Sequence, residues 1–226
     1  MTQQLLVEQE FIRNVAAEAM ARGHECFKSR QWDKAVYEFR KAVEIDPCSA
    51  EARYWLAHAY SVSDPDFSVR RERSVDSAID EYRNSIGLDP NFGPSHARLA
   101  NLYHVHKGMI DEAITVYEKA LKVGGLDPTD EFVVYNNLGF IYRDKQMYEE
   151  ALQCFTKAAS REPGASYMLW KIATMYAVQG KASEAVEFLQ RAIESGENPR
   201  RIYRSNGWFD NIKHTREFQD FIQTIE

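Results

Sequence analysis

Histidine imidazoles bind zinc and exchange protons near neutral pH, so His24, His58 and His104 are the first residues whose chemistry needs weighing. No cysteine or carboxylate stands at ligand spacing from them, and no metal site is expected. The three cysteines, Cys26, Cys48 and Cys154, are odd in number, lie far apart and form no CxxC pair. They read as reduced thiols of an intracellular protein. Cys26 falls on the core-facing stripe of its helix, which suits an inert thiol better than a nucleophile. No GxSxG, phosphate-binding loop, HExxH or dinucleotide fingerprint occurs. No catalytic residue and no cofactor are expected, and the chain reads as a binding protein, not an enzyme.

Charge narrows the partners further. The 226 residues carry 28 Lys and Arg against 34 Asp and Glu, a formal charge of −6, which gives no electrostatic basis for following a phosphate backbone. Nucleic acid is therefore not expected. No stretch approaches the roughly 20 apolar residues of a membrane span, and Glu8 and Glu10 interrupt the apolar start, so neither membrane insertion nor a secretory signal is expected. The expectation is a soluble, cytoplasmic protein whose partner is another protein or a peptide.

The elements that position these side chains announce themselves by repetition. Gly23, Ala35, Phe39, Ala42 and Pro47 return with the same spacing as Gly139, Ala151, Phe155, Ala158 and Pro163. Ala57, Ala78, Tyr82, Ser85 and Pro90 repeat the order, as do Ala100, Ala113, Tyr117, Ala120 and Pro128. Ala173, Ala185, Leu189, Ala192 and Pro199 form the fifth set, with Leu189 in place of the aromatic. Each set predicts two antiparallel helices. The first small residue and the Ala after the turn let the axes approach, and the aromatic one turn later fills the space beside them. Asp46-Pro47, Asp89-Pro90 and Asp127-Pro128 are expected to end the second helices.

This order of residues resembles the tetratricopeptide repeat, whose period is about 34 residues. The resemblance implies an all-α fold, a right-handed superhelix of about five helical hairpins, with helical caps at both ends. The repeats are expected at 16–49, 50–92, 93–131, 132–165 and 166–199. Residues 1–15 are expected to form an N-terminal capping helix region, with Leu5, Leu6, Val7, Phe11, Ile12 and Val15 covering repeat one. Residues 200–226 are expected to cap the other end: Arg201–Arg204 begin a helix broken at Ser205-Asn206-Gly207, and Trp208, Phe209, Ile212, Phe218, Phe221 and Ile222 follow on a helix-like spacing. Repeat two carries nine extra residues around Ser61–Asp76, including Asp64-Pro65-Asp66 and Arg70, Arg71 and Arg73. They read as a lengthened turn, either a solvated loop or a contact arm for an acidic partner. Repeat three has one extra residue before Ala113, and Gly124-Gly125 supply its helix stop.

In the tetratricopeptide family the first helix of each pair lines a concave groove, which points to Met20, His24, Phe27 and Lys28, then Tyr54 and His58. Ala97, Asn101 and His104 follow in repeat three. Repeat four contributes Val133, Asn136, Phe140 and Arg143, and repeat five contributes Tyr167, Trp170, Lys171 and Thr174. Amides can pair with any peptide backbone, and aromatic faces supply apolar contact at low entropy cost. The chaperone-binding members hold a terminal carboxylate with two Lys, two Asn and an Arg. In the frame of repeats three to five this chain offers Asn101, Asn137 and Lys171 but lacks both Lys, so that clamp is not expected. The resemblance implies a scaffold or adaptor that binds a segment of a partner in the groove. A sensor that changes curvature on binding a peptide, and a non-catalytic subunit of an enzyme assembly, are the alternatives.

Overall fold

A computed structural model describes residues 3–62, 68–162, 166–198 and 207–225. Every regular element among them is helical: α1 (Gln3–Lys28), α2 (Trp32–Ile45), α3 (Ala50–Val62), α4 (Ser68–Leu88), α5 (Gly93–Leu102), α6 (Ile110–Val123), α7 (Pro128–Asp144), α8 (Tyr148–Arg161), α9 (Ser166–Val178), α10 (Ala182–Glu194) and α11 (Arg216–Ile225), with one π-helical turn at Tyr103–Lys107. The chain divides into two compact units, Met1–Gly125 and Leu126–Glu226. In the first, α1 packs on α2, α3 on α4 and α5 on α6, while α2 and α4 each also touch the first helix of the next pair. The second repeats the scheme with α7 on α8 and α9 on α10.

The recurring positions explain why. Gly23, Ala57, Ala100, Gly139 and Ala173 are buried, as are the Ala residues that follow each turn and the larger residues Phe39, Tyr82, Tyr117, Phe155 and Leu189. Where the first position is glycine, the phenyl ring lies directly on it. A Cβ at Gly139 would stand 2.5 Å from Cε1 of Phe155, and one at Gly23 would overlap Phe39 in the same way. Both rings are buried on all sides and have nowhere to retreat. In repeat two Ser85 holds the place of the small Ala. Its buried hydroxyl donates to the Ala50 carbonyl (2.8 Å) and lies 2.7 Å from the Ser95 hydroxyl, tying α4 to α3 and α5.

The departures have local causes. The extra residue of repeat three is absorbed by the π turn, which takes one more residue per hydrogen-bonded ring than an α turn. The insertion of repeat two goes mostly into helix: α4 begins ten residues before Ala78, whereas α2 begins three before Ala35. It was expected to lengthen the turn, but continuing a helix satisfies the backbone where a loop would leave it open. Asp64-Pro65-Asp66 and the side chains of Arg70, Arg71 and Arg73 lie outside the described residues. Asp46 and Asp89 turn the chain as expected, their Oδ1 atoms accepting from the Cys48 and Asn91 N–H groups at 3.2 and 2.9 Å. Asp127-Pro128 differs. It starts α7, with Asp127 Oδ1 accepting from the Asp130 N–H at 2.7 Å and Pro128 as the first helical residue, while α6 ends, as expected, at Gly124, whose φ is 78°. Pro163 and Pro199 lie outside the described residues.

The ends are unlike each other. Residues 3–15 continue α1 without a break; Phe11 and Ile12 are 68% and 42% exposed and do not cover repeat one, Val15 is half-buried, and the side chains of Leu5, Leu6 and Val7 lie outside the described residues. At the other end Phe209, Ile212, Phe218 and Phe221 are buried against Ala173, Ala177, Ala185 and Leu189 of α9 and α10. The helix expected from Arg201 falls outside the described residues.

Gly139→Ala is expected to lower the stability of the chain by about 1–3 kcal/mol, the usual cost of overpacking a filled core. The cost should fall in a Phe155→Leu background, where the ring is gone. Urea unfolding of the four proteins of that cycle checks it, and additive losses would place the ring elsewhere.

Candidate functional site

In the first unit the first-helix residues gather into an aromatic cluster around Trp55. Its ring meets His24 edge-on at 4.4 Å, Phe27 at 5.8 Å and Tyr54 at 5.3 Å, and stacks on His58 at 5.6 Å. Phe27 also lies 4.9 Å from His58. Burial in this nest holds the His58 imidazole down to about 4, with the positive charge of Arg98 acting the same way. His58 is thus neutral at physiological pH. Its Nδ1 is buried and without a hydrogen-bond partner. His24 is lowered too, by burial first, against the pull of Glu51. A cleft of about 330 Å³ between α1 and α3 is lined by Arg13, Met20, His24 and Glu51. Asn101 is half-buried and accepts a long bond, 3.5 Å, from the Tyr117 hydroxyl.

Tyr54 takes a different part from the one its helix position suggests. It is only 7% exposed, covered by Tyr82 of α4 and by Phe92 at the start of α5. Its contact area is spent inside the unit. Among the described residues no group of three His, Cys, Asp or Glu side chains is arranged to hold a metal ion. No disulfide joins the three cysteines; Cys26 is half-buried, Cys48 exposed and Cys154 buried.

The second unit assembles a tighter polar set. Asn136, Phe140 and Arg143 share one stripe of α7, at helical spacings of four and three, and Tyr167 and Lys171 share one of α9. Lys171 Nζ donates to Asn136 Oδ1 at 2.7 Å and stands 4.2 Å from the Phe140 ring and 5.1 Å from that of Tyr167. The Arg143 guanidinium is 4.8 Å from the same Phe140 ring and 5.3 Å from Trp208. The Tyr167 hydroxyl donates to Glu162 at 3.0 Å, and burial together with that carboxylate pushes the phenol up to about 12. Asn137 is half-buried one position round the helix, off this stripe. Trp170, expected in the groove, is 6% exposed, with Phe209 of the C-terminal segment edge-on at 5.4 Å. It is a packing residue, hidden by a segment that helix spacing alone cannot bring there. A larger cleft, about 630 Å³, opens among α8, α9 and α10 and is lined by Thr156, Ser160, Glu162, Leu169 and Arg191. It holds none of the expected groove positions.

The residues that sequence reasoning missed are Trp55 as the centre of the first cluster and Trp208 beside Arg143. Trp55 was findable. It sits one residue after Tyr54, next to the groove stripe, and is the largest side chain of α3.

Matches to family models fall on these same hairpins. Residues 23–61 match the TPR repeat, and residues 94–123 and 132–164 each match the tetratricopeptide repeat. The chain is a tetratricopeptide repeat protein. Among curated relatives, human Superkiller complex protein 3 is 33% identical over 97 residues, which cover 43% of this chain and 6% of that protein. Tetratricopeptide repeat protein 37 of Xenopus laevis is 28% identical over 196 aligned residues, covering 74% of this chain and 12% of that one. The chain thus spans a small part of the length of the curated relatives it matches.

Solved structures show the fold. PilF of Pseudomonas aeruginosa superposes with a TM-score of 0.67 at 17% identity, covering 95% of this chain and 99% of that one. MamA gives 0.62 at 18% identity, covering 81% and 96%. YrrB, described as a TPR protein with an unusual peptide-binding site, gives 0.62 at 18% identity, covering 83% and 90%. The fold is that of tetratricopeptide solenoids.

The His58 environment predicts a pH dependence. The folded chain resists protonation down to about pH 4, while the unfolded chain takes up the proton near 6.5. Stability should therefore fall as pH drops from about 6.5 towards 4. His58→Phe, which keeps a ring in the nest, should flatten that part of the profile. Melting temperatures of both proteins across this range check it; parallel profiles would contradict it.

Proposed function

We propose that this chain is an interaction scaffold whose first-helix faces receive a segment of another protein. The observation that carries the reading is the α7–α9 face. There amide, cation and aromatic groups, Asn136, Lys171, Phe140 and Tyr167, are half-buried and held in contact with one another. Such a face is already ordered before a partner arrives, so little side-chain entropy is lost on binding. The amide can turn from Lys171 to a peptide group, and the ring faces can take apolar side chains. A peptide-binding site in YrrB, a protein of the same fold, supports the reading.

Membership of a larger assembly is the second reading, and one observation favours it. The matched human relative is by its name a complex protein. In that reading the chain contributes binding, and any activity belongs to other subunits. No helix among the described residues is long and apolar enough to cross a membrane. We infer a cytoplasmic location, with a protein partner and neither nucleic acid nor a cofactor involved, from charge and from the absence of any cofactor motif in the sequence.

Capture of partners from the native cell, read by mass spectrometry, tests the proposal. Lys171→Ala with Asn136→Ala should weaken capture about tenfold or more, the scale of loss at a central contact, with circular dichroism unchanged. Tyr37→Ala, on the exposed side of α2, should capture normally. Equal capture by all three proteins would remove the first-helix face of the second unit from the binding site.

A further inference from the structure

Trp208 makes one contact, with Arg143, that sealing the last hairpin does not require. That sealing is done by Phe209, Ile212, Phe218 and Phe221, all buried. The segment is also fixed beside Trp208 by Asn211, whose Nδ2 donates to the Val178 carbonyl at 2.6 Å, and by the contact of Phe209 with Trp170. Trp208 itself is partly exposed: one side packs on that seal, and it also lies at the margin of the cluster formed by Phe155, Met168 and Ile172. Its ring lies 5.3 Å from the Arg143 guanidinium, which is 4.8 Å from Phe140 and is fixed by two hydrogen bonds to Asp144 Oδ1, at 2.8 and 2.6 Å. An aromatic side chain from a distant part of the sequence thus already rests on the end of the α7 stripe, at Arg143, whose neighbour Phe140 also meets Lys171.

We propose that Phe140 and Arg143 form an aromatic-side-chain subsite, that Trp208 occupies it in the free chain, and that a partner segment bearing a tryptophan or tyrosine binds by replacing it. This rests on the reading of the α7–α9 face as a peptide-binding surface and names the residue class it selects. The exchange is chemically even, since one ring leaves a guanidinium and another takes its place. The incoming segment adds contacts that Trp208 does not make, through the Asn136 amide and the Lys171 ammonium. Because Phe209 and Asn211 hold the segment, Trp208 can swing out while the hairpin stays sealed. The resident ring lowers apparent affinity by the fraction of time it covers the platform, so only a segment with a matching ring competes well.

The test uses the full chain labelled with 5-fluorotryptophan, whose four tryptophans give four fluorine resonances, that of Trp208 being assigned from Trp208→Phe. The probe is the blocked peptide acetyl-Gly-Trp-Gly-amide, with its leucine counterpart as control. The tryptophan peptide should move the Trp208 resonance and leave those of Trp32 and Trp55 in place, and the leucine peptide should move none. Trp208→Ala should bind the tryptophan peptide about tenfold more tightly than the natural chain. A Trp208 resonance unmoved at millimolar peptide overturns the inference, and in this arm the peptide is added to the unaltered chain. Equal affinity of a folded Trp208→Ala overturns it as well. If Lys171→Ala with Asn136→Ala still loses its cellular partner in that case, only the subsite falls; if capture is unaffected too, the reading of the face falls with it.

Discussion

Two helices can lie close only where the side chains at the point of crossing are small, and that constraint governs this molecule. In the hairpins of α1 with α2 and α7 with α8, glycine removes even the methyl group, and a phenyl ring from the second helix settles onto the exposed backbone. The ring then has no freedom, because small Ala residues on either side bring the remaining walls up to it. Each hairpin is built around a single buried ring or leucine. It buries too little alone, so within each unit it leans on its neighbour.

The same packing decides which faces remain for recognition. A first helix turns its small residues towards its partner, and its larger and polar residues fall on the other stripe. In the second unit that stripe presents Asn136, Phe140 and Arg143 beside Tyr167 and Lys171, linked by one hydrogen bond and several cation–ring contacts. In the first unit it presents rings instead. The cluster around Trp55 is dry enough to keep His58 neutral, so this face offers shape and apolar area more than charge. The two faces therefore differ in chemistry, one polar and charged, the other aromatic.

The hairpins were legible in the sequence because their signal is local: small, aromatic, small, turn. The Asp turns at Asp46 and Asp89 were legible for the same reason. The extended α4, the start of α7 at Asp127-Pro128 and the π turn at Tyr103–Lys107 show where spacing alone falls short. A count of extra residues does not say whether they enter a loop or a helix. Among the site residues, the α7 and α9 stripes follow from periodicity. The burial of Tyr54 and Trp170 does not, because the residues that cover them, Phe92 and Phe209, come from other elements. The position of Trp208 beside Arg143 is of the same kind, a contact 65 positions apart that no local pattern encodes.

The ring on the glycine can be seen directly by proton NMR. A phenyl face held over a backbone shields the protons beneath it, so the Hα resonances of Gly23 and Gly139 should lie well upfield of the usual glycine range. They should also show nuclear Overhauser effects to the rings of Phe39 and Phe155 respectively. Ordinary Hα positions with no effect to either ring would mean that the helices are held apart, and the account of the fold built on that contact would be wrong.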